Sequence, residues 1–85
     1  MKELSYIIKD ENGIHARPAG LLVKKAGNFK SSVKLICGDK SADCKKLFAV
    51  MGLGVKCGSE IKITADGEDE ESAVSELKKF LEENL

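Results

Sequence analysis

Between Glu60 and Leu81 the spacing of apolar residues changes from two to the three- and four-residue steps of a helix, and no other stretch constrains the fold as much. Glu60 to Asp66 alternates, with Ile61, Ile63 and Ala65 on one face, which predicts a strand with one apolar side. Gly67-Glu68-Asp69 breaks it. Ala73, Val74, Leu77, Phe80 and Leu81 then form a single stripe, and Glu68 to Glu71 supply negative charge where a helix start favours it. The acidic run is therefore read as a helix beginning, not a metal site. A one-faced strand followed by a one-striped helix predicts helices packed on one side of a sheet.

The earlier segments extend that pattern. Leu4 to Ile8 reads as a first strand, with Leu4, Tyr6 and Ile8 on one face, and Lys9 to Gly13 as a turn. From Pro18 the period becomes helical: Ala19, Leu22, Val23 and Ala26 form the buried stripe, Lys24-Lys25 suit the last turn, and Gly27-Asn28 ends the helix. Gly20 costs this helix about 1 kcal/mol relative to Ala, which suggests close approach of another element. Ser32 to Cys37 reads as a second strand, and Ser41 to Asp43 as a short third one after a Gly38-Asp39-Lys40 turn. Lys45 to Met51 places Leu47, Val50 and Met51 at helical steps before Gly52-Leu53-Gly54, leaving room for one or two turns. Phe48 falls off that stripe. Its apolar character assigns it to the core, with an exposed partner contact as the alternative. The order strand, helix, strand, strand, short helix, strand, helix predicts a two-layer α+β sandwich with four strands, in an order that periodicity leaves open.

A chain of 85 residues with 42% hydrophobic content suits one domain, residues 1–85. Equal numbers of basic and acidic residues, 14 each, give no support to nucleic-acid binding. The opening residues hold no long apolar run, so neither a secretion signal nor a membrane span is expected, and a cytoplasmic protein is. Cys37, Cys44 and Cys57 have no metal-binding spacing and read as reduced thiols.

Asn12 to Gly20 holds the only histidine, arginine and proline of the chain, His15, Arg17 and Pro18, at a strand-to-helix junction. Helix starts carry free N–H groups, so such a place suits a phosphate. Unperturbed imidazole titrates at about pH 6.5, so a neutral, nucleophilic form of such a side chain is available at neutral pH. Arg17 adds positive charge for the oxygens of a phosphoryl group. The competing reading is an ordinary surface or turn histidine. Other chemistries are weaker. No serine or acid is singled out for a hydrolase, the cysteines lack zinc spacing, and Gly52 to Gly58 lacks the order of a phosphate-binding loop. Lys34, Lys45, Lys46 and Lys56 could make a basic rim, but scattered lysines are usually solvated surface.

Gly13-Ile14-His15-Ala16-Arg17-Pro18-Ala19 resembles the active-site signature of the HPr family, the histidine-containing phosphocarriers of the bacterial phosphoenolpyruvate-dependent sugar phosphotransferase system. The similarity continues through Leu47 to Val55 and covers essentially the whole chain. It implies an open-faced β-sandwich, with four antiparallel strands covered on one face by three helices. It also implies a carrier that is not itself an enzyme and needs no cofactor or metal. His15 would accept a phosphoryl group on Nδ1 from the system's first enzyme and pass it to sugar-specific IIA domains, with Arg17 stabilising it. Ala16, Gly20, Leu47, Phe48 and Met51 would meet partners, and a monomer is expected. In Gram-positive relatives a serine starting the short middle helix is phosphorylated by a regulatory kinase. Lys46 stands there in this chain, so no regulatory phosphoserine is expected at that position. The alternative is an HPr-like regulatory or binding module in carbon or nitrogen control.

Overall fold

The strand formed by Glu60–Asp66, β4, is hydrogen-bonded on both edges and so ties both halves of the chain into one sheet. The computed structural model describes all 85 residues, in the order β1 (Lys2–Ile7), α1 (Ala16–Ala26), β2 (Ser32–Cys37), β3 (Lys40–Asp43), α2 (Leu47–Met51), β4 and α3 (Glu70–Asn84). The sheet order is β1-β4-β2-β3, and every pairing is antiparallel.

Alternation along the strands separates the two faces. Leu4, Ile63, Leu35 and Ala42 lie in one row across all four strands and point toward the helices. The next row, Glu3, Thr64, Lys34 and Asp43, lies on the open face. Helix α1 buries Pro18, Ala19, Leu22 and Ala26 against the sheet, and α3 buries Ala73, Leu77, Phe80 and Leu81. Leu22, Ile63 and Leu77 are fully buried, each side chain contributing about 1.5–3 kcal/mol relative to exposure. The two-layer α+β architecture expected from the alternating periods is the one observed. No helix is long and apolar enough to cross a membrane.

Several local expectations change. The first strand begins earlier than Leu4 and ends at Ile7, with Ile8 still buried beyond it. Helix α1 starts at Ala16, two residues before the period becomes visible, because Pro18 sits inside its first turn. Gly20 does not admit another element: a Cβ built there would meet nothing within 4 Å. Its place is on a half-buried, unobstructed side of α1. Phe48 is not core, being 85% exposed. Only five residues of the Lys45 to Met51 segment are helical, and Val50 alone of them is buried.

The connection between α1 and β2 is locked to the start of α3. The Asp69 carboxylate accepts the N–H of Lys30 at 2.8 Å, the N–H of Ser31 at 2.9 Å and the Ser31 hydroxyl. Gly67 lies so close that a Cβ there would be 2.7 Å from Ser31 Cα. The Ser31 hydroxyl bond, followed by the Lys30 amide, holds the Asp69 carboxyl below the ordinary carboxylate range.

Candidate functional site

His15 is the N-cap of α1, with extended backbone, φ −118° and ψ −179°. Extended geometry turns the chain from loop into helix and leaves the His15 carbonyl to accept the Ala19 N–H at 2.9 Å. The imidazole makes no capping hydrogen bond and is exposed. Pro18 has no N–H to offer. The free donors of the first turn are therefore the amides of Ala16 and Arg17, neither of which meets an acceptor within the chain. The first turn holds no acidic residue. An exposed nucleophilic ring, two unpaired amides and an exposed guanidinium thus share the positive end of one helix.

The loop that delivers His15 is fixed through its backbone. Ile8 N–H donates to Ser59 O at 3.0 Å, and Gly58 N–H to Ile8 O at 2.8 Å. The N–H groups of Lys9 and Asp10 both donate to Leu85 O, at 2.6 and 2.9 Å. Asn12 N–H bonds the Asp10 side chain at 2.8 Å, Gly13 N–H the Asp10 carbonyl at 2.9 Å, and Ile14 N–H the Val55 carbonyl at 3.1 Å. Gly13 is required twice over. Its φ is +65°, and a Cβ would lie 2.3 Å from Val55 O. With buried Ile14 beneath it, the loop holds His15 still while leaving its ring in solvent.

The other residues assigned to the site lie on α1 and α2, which pack against each other. Arg17, Leu21 and Lys24 follow each other at helical steps along the outside of α1, where Ala16 is exposed and Gly20 half-buried. Helix α2 packs against α1 and shows Phe48 at 85%, Met51 at 38% and Leu47 half-buried, and on α1 Leu21 is 46% exposed. Lys46 is the N-cap of α2, exposed and without a side-chain capping bond. Lys34 is not part of this face, since its side chain lies with Asp43 on the open side of the sheet.

The charge pattern of this face is stronger than single lysines indicated. Gly13 to Gly38 and Cys44 to Ser59 contain no Asp or Glu, although the chain as a whole is neutral. Lys25 and Lys30 pair with Glu76 and Glu68 at 3.3 Å, whereas Arg17, Lys24, Lys46 and Lys56 form no ion pair. Leu21 and Lys24 went unassigned in the sequence. The acid-free stretches were the available signal for Lys24, and an apolar residue off the buried stripe was the signal for Leu21.

The thiols stand apart from this site. All three are free. Cys44 is buried, and desolvation, with Asp43 adding to it, pushes its thiol up to about 12. Cys57 is exposed, its sulfur 3.8 Å from the Lys9 carbonyl.

Comparison with known proteins places this geometry among relatives. A family model described as the PTS HPr component phosphorylation site matches residues 2–83. The chain is 40% identical to phosphocarrier protein HPr of Mycoplasma capricolum over 81 residues, covering 95% of this chain and 91% of that protein. It is 42% identical to phosphocarrier protein HPr of Mycoplasma genitalium over 85 residues, covering 99% and 97%. A solved structure of a mycoplasma histidine-containing phosphocarrier protein superimposes with a TM-score of 0.94 at 38% identity, over 96% of this chain and 93% of that one.

Proposed function

The chain belongs to the HPr family of the phosphotransferase system, and from that premise we propose that it carries a phosphoryl group on His15, taken from the system's first enzyme and passed to sugar-specific IIA domains. The observation that supports this reading is the start of α1: an exposed imidazole next to two unpaired amides and Arg17, with no acid in the first turn.

The chemistry asks little of the carrier. The Nδ1 lone pair of neutral His15 attacks phosphorus in line, the new N–P bond forms, and the donor atom leaves with the electron pair of the bond that breaks. No proton need move in the transfer itself. The Ala16 and Arg17 amides and the Arg17 guanidinium stabilise the phosphoryl oxygens. Passing the group on reverses these roles, so the site must hold the phosphoryl group without sealing it in. An exposed ring on a fixed loop meets both demands.

Docking supplies the rest. Leu47, Phe48, Met51 and Leu21 form the apolar centre, Ala16 and Gly20 permit close approach, and Arg17, Lys24 and Lys46 favour an acidic partner surface. The carrier is thus a substrate of the enzymes on either side of it and not a catalyst. Lys46 has no hydroxyl, so the regulatory phosphorylation of Gram-positive relatives is absent from its position. Incubation with that kinase and ATP leaves the peptide spanning Lys46 unmodified, and a phosphorylated residue there would contradict this.

Incubation with the first enzyme and phosphoenolpyruvate tests the main reading. The expected product is one acid-labile phosphoryl group on the chain, absent from His15→Ala. Lack of the adduct with a competent cognate enzyme would favour the regulatory-module reading instead.

A further inference from the structure

Helix α2 is five residues long, whereas isolated helices shorter than about 12–15 residues are marginal in water. It buries only Val50, so its position is not set by a large apolar face. It is instead held from outside at both ends. After it, Val55 O accepts the Ile14 N–H at 3.1 Å, one residue before His15. Before it, Lys45 Nζ donates to Phe29 O at 2.8 Å, just beyond the far end of α1. The two anchors lie past opposite ends of α1, so α2 is stretched along it.

Both sides of the Lys45 bond are themselves fixed. Lys45 N–H donates to the Asp43 side chain at 2.9 Å, Lys46 N–H to the Asp43 carbonyl at 3.0 Å, and Cys44 N–H to Val33 O at 2.9 Å. Phe29 is followed directly by Lys30 and Ser31, whose amides are held by Asp69. Lys45 is half-buried and its ammonium is committed to a backbone carbonyl, while Lys46 beside it is exposed and unpaired. The two adjacent lysines therefore do different things.

We propose that Lys45 is a positioning residue for partner docking: its bond to Phe29 O fixes where α2 presents Phe48 and Met51 relative to His15. The proposal rests on the carrier reading for its kinetic consequence, but not for its structural one. Lys45 touches neither the imidazole nor the phosphoryl group. Its loss weakens the encounter with a partner and leaves the transfer step within the complex intact.

Lys45→Met keeps the apolar stem and removes the donor, and Lys45→Arg keeps a donor. Transfer from the phosphorylated first enzyme is measured for both and for the wild type at low and high salt, with amide hydrogen exchange at Val50 and Gly52, whose N–H groups close α2. Lys45→Met is expected to raise KM for the first enzyme about 5- to 10-fold at both salt concentrations, the scale of one net hydrogen bond, with kcat within about twofold. Exchange at Val50 and Gly52 speeds up in Lys45→Met, and Lys45→Arg restores both quantities. A KM increase that disappears at high salt with unchanged exchange would make Lys45 a partner-facing charge and overturn the proposal. Unchanged KM and unchanged exchange would also overturn it. A wild-type chain that accepts no phosphoryl group would refute the carrier reading, and the exchange data would still decide whether Lys45 holds α2.

Discussion

Helices α1 and α3 begin alike and end up with opposite uses for their N-termini. Neither N-cap side chain, His15 or Asp69, bonds an amide of its own helix. At α3 the charge is supplied internally. Glu70 and Glu71 occupy the first turn, and the Asp69 carboxylate is committed to Lys30 and Ser31 of the neighbouring connection. At α1 nothing internal fills the role: the first turn has no acid, two amides are free and the N-cap ring stands in solvent. The closed terminus stabilises the fold, and on the carrier reading the open one is left for an anion that arrives from outside. On that reading a helix start becomes a site by what the chain leaves out.

The largest expected effect comes from disturbing the loop that holds the open end. Gly13→Ala must leave the left-handed region and retreat from Val55 O, at a cost of about 2–3 kcal/mol, read as a lower urea midpoint together with slower transfer. Arg17→Ala acts on transfer and docking and not on the fold. It is expected to lower kcat/KM about 10- to 100-fold, with thermal unfolding unchanged because the side chain is exposed. A coincident loss of stability would make Arg17 structural.

Asp69→Asn attacks the closed end, with the reverse result: kcat is unchanged, any effect on transfer is confined to KM through the Phe29 anchor, and the urea midpoint falls by less than in Gly13→Ala. Because the folded Asp69 carboxyl lies below its ordinary value of 3.8, its contribution is fully present above that pH and is lost as pH falls through the lower folded value. The acid limb of the wild-type stability profile should therefore flatten in Asp69→Asn, as followed by urea unfolding at a series of pH values. Closing the open end gives a small change in the opposite direction. Ala16→Glu would supply α1 with its own carboxylate, stabilising the fold by about 0.3–1 kcal/mol. The same charge should repel the phosphoryl group and slow transfer about tenfold. If Ala16→Glu gained stability with no loss of transfer, the contrast between the two termini would carry no functional meaning.

Legibility in the sequence followed the range of the interactions. Strands β2 and β4 match their expected spans because alternation is a local property of neighbouring residues. The stripe of α3 also held, with Val74 at its half-buried edge. Strand order could not be read this way, since β4 joins β1 to β2 across most of the chain. The bonds from Lys45 to Phe29 and from Asp69 to Ser31 link residues 16 and 38 positions apart, and no spacing rule announces them. The reading of Phe48 as core from its residue type failed for a different reason, while its exposure agrees with the alternative of an exposed residue. Burial is the ordinary fate of an aromatic residue, but α2 buries only Val50 and leaves Phe48 outside the core. His15 and Arg17 could be proposed from the sequence because both stand in one short motif at a change of period. The cationic character of the surrounding face needed the ion pairs, which remove Lys25 and Lys30 and leave Lys24 and Lys46.

The claim that the open end of α1 receives the phosphoryl group is tested most directly by backbone amide NMR before and after phosphorylation of His15. The Ala16 and Arg17 N–H resonances should move furthest downfield as they acquire phosphoryl oxygens, while Glu70 and Glu71 stay in place. Unmoved Ala16 and Arg17 amides in a chain phosphorylated at His15 would contradict the account.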